Sequence, residues 1–150
     1  MRLYSIRSVL GVLLLAMVGM QLLTPQIVGT SIEASVDIKP ETLNLERGGV
    51  ITVFVEFFDP SYNVSDVDFE SIKLRVEDAS DWVEPIRCVV ADGKLVVKFD
   101  GLTVADYIIG KLVHMQIILP QSKYSMDFVV EGMVKGEQFE GSDRIRIMLF

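Results

Sequence analysis

The chain has 150 residues, 21 of them Asp or Glu against 14 Lys or Arg, with a net charge of −7, one cysteine and one histidine. Residues 1–34 hold only Arg2, Arg7 and Glu33 of those 14 and 21, which leaves 12 basic and 20 acidic residues and a net charge of −8 over residues 35–150. That balance excludes a phosphate-neutralising nucleic-acid surface, a domain of this size holds one core and not two, and the lone Cys88 excludes an internal disulfide.

The N-terminus carries Arg2 and Arg7, then an apolar run over residues 9–23, then helix-breaking Pro25 and small residues over 29–34. This is the order of a secretory signal peptide. The run is shorter than the roughly 20 apolar residues of a membrane-spanning helix, so cleavage is expected, with the mature chain starting between Gly29 and Val36. Left uncleaved, the segment would be an N-terminal anchor and the chain's contact with the membrane. The division read from the sequence is a signal peptide or anchor over residues 1–34 and one domain over 35–150.

Beyond residue 35, apolar and polar residues alternate with a period of two, the pattern of strands with one buried face. Val36 and Ile38 begin it. Ile51, Val53, Val55 and Phe57 share a second face, and Ile72, Leu74 and Val76 a third. Ile86, Cys88 and Val90 form another, and Asp92-Gly93 then marks a hairpin that returns through Leu95, Val97 and Phe99. A short helix or turn is expected over residues 104–109, between Gly101 and Gly110. A strand is expected to follow, with Val113, Met115, Ile117 and Leu119 inward, closed by Pro120. Two more strands are expected over 126–134 and 144–149, joined across Gly132, Gly136 and Gly141. Seven to eight short strands without a long amphipathic helix predict an all-β fold, an antiparallel immunoglobulin-like β-sandwich. Trp82 lies in a polar loop without cysteine partners, so the Cys–Trp–Cys core of antibody domains is absent.

Val36-Asp37-Ile38-Lys39-Pro40, followed by Leu43-Asn44-Leu45 and the stretch from Val64 to Leu74, resembles the opening of a family of small exported β-sandwich modules found in archaea and bacteria. Val97-Lys98-Phe99-Asp100 is similar to that family's middle strand, and Phe139-Glu140-Gly141-Ser142-Asp143 with Ile145-Arg146-Ile147 to its closing hairpin. The resemblance covers about residues 36–148. It implies an accessory surface domain and carries no catalytic residues.

Residues 59–84 hold eight carboxylates against Lys73 and Arg75. Oxygen-rich loops suit Ca²⁺. Asp66, Asp68 and Glu70, with Glu77, imitate the spacing of an EF-hand, but Ser71 replaces the glycine its turn requires. Asp66, Asp68 and Glu70 are the candidate metal ligands, and the rival reading is a solvated acidic surface. Asn63-Val64-Ser65 is an N-glycosylation sequon, with Asn63 as the acceptor. Cys88 and His114 fall on opposite kinds of strand face, which speaks against a nucleophilic pair. The sequence thus predicts a non-enzymatic, secreted or cell-surface β-sandwich without a resident cofactor. Its role would be structural or binding, with another surface protein or envelope component as partner. The alternative is a Ca²⁺- or ligand-binding protein that uses the acidic loops.

Overall fold

The computed structural model describes residues 29–115 and 123–149. The signal-peptide or anchor reading of the apolar run lies outside them. Among the described residues the chain forms eight strands and one α-helix. The strands are β1 (Ile32–Lys39), β2 (Thr42–Asn44), β3 (Val50–Phe57), β4 (Val67–Val76), β5 (Arg87–Ala91), β6 (Lys94–Asp100), β7 (Lys123–Val134) and β8 (Glu137–Met148), and the helix α1 (Gly101–His114) joins β6 to β7. β1 begins three residues ahead of the domain boundary read from the sequence, and Ala34 in that lead-in is buried.

The strands run β4-β7-β8-β1-β3-β6-β5, with β2 also paired to β8. Read through the chain, β1-β3-β6-β5 and β8-β7-β4 are the two layers of a constant-type immunoglobulin sandwich. The fold is therefore all-β and immunoglobulin-like. Its ladders are antiparallel except where β1 and β2 meet β8 in parallel, at Ile32↔Phe139 and Thr42↔Arg146. β1 serves both layers, since from Ala34 onward it pairs with β3. The Lys39–Pro40 peptide between β1 and β2 is cis.

One core fills the space between the layers. Val53, Val55, Leu95, Val97 and Phe99 face it from one side and Leu74, Val130, Phe139 and Ile147 from the other, all at most 1% exposed. Phe57 and Phe139 meet across the layers edge to face, with ring centroids 5.2 Å apart. The apolar alternation at 51–57, 72–76 and 95–99 thus reports the buried faces correctly. Both hairpin turns use two residues at positive φ, Asp92 (52°) with Gly93 (75°) and Lys135 (50°) with Gly136 (78°), the backbone that a two-residue turn between right-twisted strands needs.

Three expectations are corrected. The helix does not stop at Gly110 but runs to His114, because Val104, Ala105, Ile108 and Leu112 recur at helical spacing and bury one face. The strand expected from Val113 therefore does not form over 113–114. Val113 and Met115 are exposed rather than inward, while Ile117, Leu119 and Pro120 lie outside the described residues. β8 is continuous through Gly141, and Gly132 lies inside β7, so Gly136 alone of the three glycines makes the turn. Finally, Asp68 and Glu70 stand on β4 rather than in a loop. They escape the alternating pattern because β4 bulges there, three extra residues intervening between Asp68↔Met133 and Lys73↔Glu131. Ser71 bridges the bulge, its hydroxyl donating to the Asp68 carbonyl at 2.6 Å and accepting from the Met133 amide at 2.8 Å.

Candidate functional site

The acidic residues are dispersed by local structure. Asp66 ends a short 3-10 turn and faces Lys135 at 3.6 Å. The carboxylate of Asp68 accepts from the Glu70 amide at 3.1 Å, a use that turns it toward its own backbone. Asp59 likewise accepts from the Ser61 amide at 2.8 Å, which holds its carboxyl below the usual carboxylate range. Asp81 pairs with Lys111 of α1, and its carboxyl is lowered by that hydrogen bond. Among the described residues no three Asp, Glu, His or Cys side chains converge into a metal-holding group. Asn63 is exposed, and its side-chain oxygen accepts from the Ser65 amide at 2.9 Å, capping the 3-10 turn.

Cys88 and His114 stand on separate elements, Cys88 on β5 opposite Val97 and His114 at the exposed end of α1. The sequence reads Cys88 as a buried apolar residue. It is half-buried, it packs against the core, and burial pushes its thiol pKa up.

Several surface concavities remain among the described residues, and two of them join residues of both layers. The larger, about 620 Å³, opens where β1 leaves β8 to join β3, and Glu33, Glu77, Asp78 and Glu140 line it together with Phe58 and Arg75. Arg75 is already occupied there, with Glu131 at 3.1 Å and Glu140 at 3.9 Å. The smaller, about 350 Å³, lies between the edges of the two layers and is lined by Phe69 and Glu70 of β4 with Glu84, Pro85, Ile86, Arg87 and Cys88.

This second concavity sets exposed apolar side chains beside the charged Glu70, Glu84 and Arg87. Ile86 is 61% exposed, Val90 41% and Phe69 37%. Cys88 and Val90 lie opposite the buried Val97 and Leu95 and so share the side of β5 that looks toward the interior, whereas Ile86 precedes the strand and its amide donates to the Lys98 carbonyl, at the position opposite Arg87. That side stays open because β5 is the last strand of its layer and the facing layer does not reach over it. The outer edge of β4 is partly closed by Val83, which exchanges backbone hydrogen bonds with Leu74 at 2.8 and 3.0 Å. The outer edge of β5 has no strand beside it among the described residues. Nearby, the Lys73 ammonium sits 3.9 Å from the centre of the Trp82 ring and covers that exposed indole. The open flank is a feature that periodicity alone could not find, since a strand's pattern says which side is apolar and not whether anything lies opposite.

No family model matches the chain. No curated protein matches it either. Among solved structures it is similar to an endo-β-1,4-mannanase from Thermotoga petrophila, at 16% identity and a TM-score of 0.36, over 82% of this chain and 21% of that one. It is similar to the N-terminal domain of the Streptococcus gordonii adhesin Sgo0707, at 12% identity and a TM-score of 0.28, over 78% and 32%. A third likeness is to AggA, the major subunit of aggregative adherence fimbriae type I from Escherichia coli, at 12% identity and a TM-score of 0.27, over 81% and 98%. The chain spans about a fifth of the mannanase and a third of the adhesin domain structure.

Proposed function

We propose that this chain is a non-enzymatic exported module that works at the cell surface through binding or structural contacts, with another surface protein or envelope component as its partner. The observation that carries the reading is the open flank. Soluble proteins seldom leave contiguous large apolar side chains in water, and patches of this kind mark contact surfaces. Here exposed Phe69 and Ile86 border one concavity and exposed Val90 stands on the adjoining strand with its unpaired edge, so both apolar area and backbone hydrogen bonds are on offer. The charged start and apolar run of residues 1–23 support export.

The test is fractionation of native cells with N-terminal sequencing of the protein recovered. Expected is a chain that begins between about Gly29 and Val36 and is digested by protease added to intact cells. Recovery of a full-length chain from the cytosol would overturn the reading, and a full-length chain in the membrane fraction would replace cleavage by anchoring.

A further inference from the structure

We infer that the open edge of β5 pairs with the β5 of a second copy of this chain, antiparallel and centred on Val89. The inference rests on the open flank as a contact surface, and it adds the identity of what covers it.

The backbone supplies the first argument. In a two-residue hairpin the residues flanking the turn, here Ala91 and Lys94, exchange both hydrogen bonds, and alternation gives the same role to Val89 with Val96. Cys88 and Val90 therefore turn their N–H and C=O groups away from β6, toward the free edge. A two-fold axis at Val89 sets Cys88 of one copy against Val90 of the other, twice. About four backbone hydrogen bonds result.

Charge supplies the second argument. The strand from Cys88 to Ala91 is uncharged, with exposed Arg87 at one end and exposed Asp92 at the other. Neither takes part in an ion pair among the described residues. In the antiparallel arrangement Arg87 lies opposite Ala91 of the second copy and next to its Asp92, so the two ends neutralise each other at both rims. Parallel pairing would set Arg87 against Arg87. The same register brings the Cys88 and Val90 side chains of both copies together on the inner face, flanked by Ile86, and removes from water the side chains that one copy leaves open.

Most edge strands carry devices that block such pairing, such as an inward-pointing charge or a proline. From Cys88 to Ala91 this one has neither. Two copies of net charge −8 repel each other at long range, and a five-residue strand makes a small interface, so association is expected in the range of tens of micromolar.

Amide hydrogen exchange on the full chain tests the inference at the bonds themselves, with sedimentation velocity alongside. The Cys88 and Val90 amides should exchange roughly fivefold more slowly at about 500 µM than at about 5 µM, in step with dimer formation. Arg87→Asp should abolish that protection by placing two acids together. Adding Asp92→Lys should restore it, a change the turn accepts because Lys135-Gly136 already makes the same turn. Val90→Pro should leave a folded monomer, since it deletes a donor that the β5–β6 ladder does not use. Concentration-independent exchange at Cys88 and Val90 overturns the inference. So does protection that survives Arg87→Asp, or that Asp92→Lys fails to rescue. A surface-located protein that stays monomeric would sink the pairing and leave the proposed function standing, whereas a cytosolic dimer would do the reverse.

Discussion

Gly141 is where one atom decides whether the two layers can share β1. A β-carbon there would collide with the Ala34 carbonyl and the Val36 side chain, both on a strand fixed by its pairing with β3. Gly141→Ala should cost about 2–4 kcal/mol, since backbone cannot yield as a side-chain tip can. A chemical-denaturation midpoint within error of the wild type would refute that. At Gly132 the added carbon meets the Phe139 ring at 2.8 Å, and Phe139 is fully buried, so this position is guarded too. Neither role is readable locally, because a glycine in a turn and a glycine under a crossing strand look alike in sequence. Cys88 gives a second residue-scale expectation. With its thiol pKa raised by burial and its side chain packed on the core, it should react slowly with maleimide at neutral pH, and Cys88→Ala should cost on the order of 1 kcal/mol. Labelling as fast as a free thiol in solution would contradict this.

The helix is the element that the sequence renders least well. Asp100 caps it, its carboxylate accepting from the Thr103 amide at 2.9 Å and hydroxyl at 2.8 Å, and Leu112 continues the buried face past Gly110. Alternation at 112–115 imitates a strand because Leu112, the last described anchor of the helical stripe, is followed by Val113 and Met115, both exposed. The expected consequence is that Gly110→Ala stabilises the protein by roughly 0.5–1 kcal/mol, since nothing lies within 4 Å of the added carbon and alanine suits a helix interior better than glycine. A lowered melting temperature would mean that the helix ends at Gly110 after all. Tyr107 ties α1 to the sandwich by accepting from the Val76 amide at 3.1 Å and donating to the Asp81 carbonyl at 3.0 Å. Tyr107→Phe leaves the Val76 amide without its partner, and a loss of about 1–3 kcal/mol is expected in equilibrium unfolding.

For the whole molecule, acidity governs the response to pH, salt and calcium. The carboxyl of Asp127 is held low by its two-pronged hydrogen bond to Arg144, at 2.7 Å on each oxygen, and that of Asp100 by the Thr103 amide. A depressed folded-state pKa contributes stability that is complete above the unfolded carboxylate range, near pH 4, and is lost as pH falls through the folded value. Asp127→Asn should therefore be less stable than the wild type at pH 7, with the gap closing below about pH 4. A gap that persists at low pH would assign the loss to something other than ionisation. Added salt should raise the melting temperature by screening the net charge of −8. At fixed high ionic strength, sub-millimolar Ca²⁺ is expected to add no more than Mg²⁺ does, because the Asp68 carboxylate is engaged by the Glu70 amide and Asp66 faces Lys135. A rise of several degrees with Ca²⁺ alone, abolished by Asp66→Asn or Asp68→Asn, would favour the metal-binding alternative.

The sequence by itself determined the fold class and most of its buried faces. Period-two alternation at 51–57, 72–76 and 95–99 is a local consequence of the pleat, and Asp92-Gly93 is a local consequence of positive φ, so both can be read without knowing their neighbours. The tertiary structure alone decided how β1 is divided between β3 and β8, that β4 absorbs three extra residues beside Met133, and that Cys88 and Val90 lie on a strand with a free edge among the described residues. Each of these depends on what stands opposite a strand. That is fixed by the order of strands across the layers, and a single strand carries no record of it.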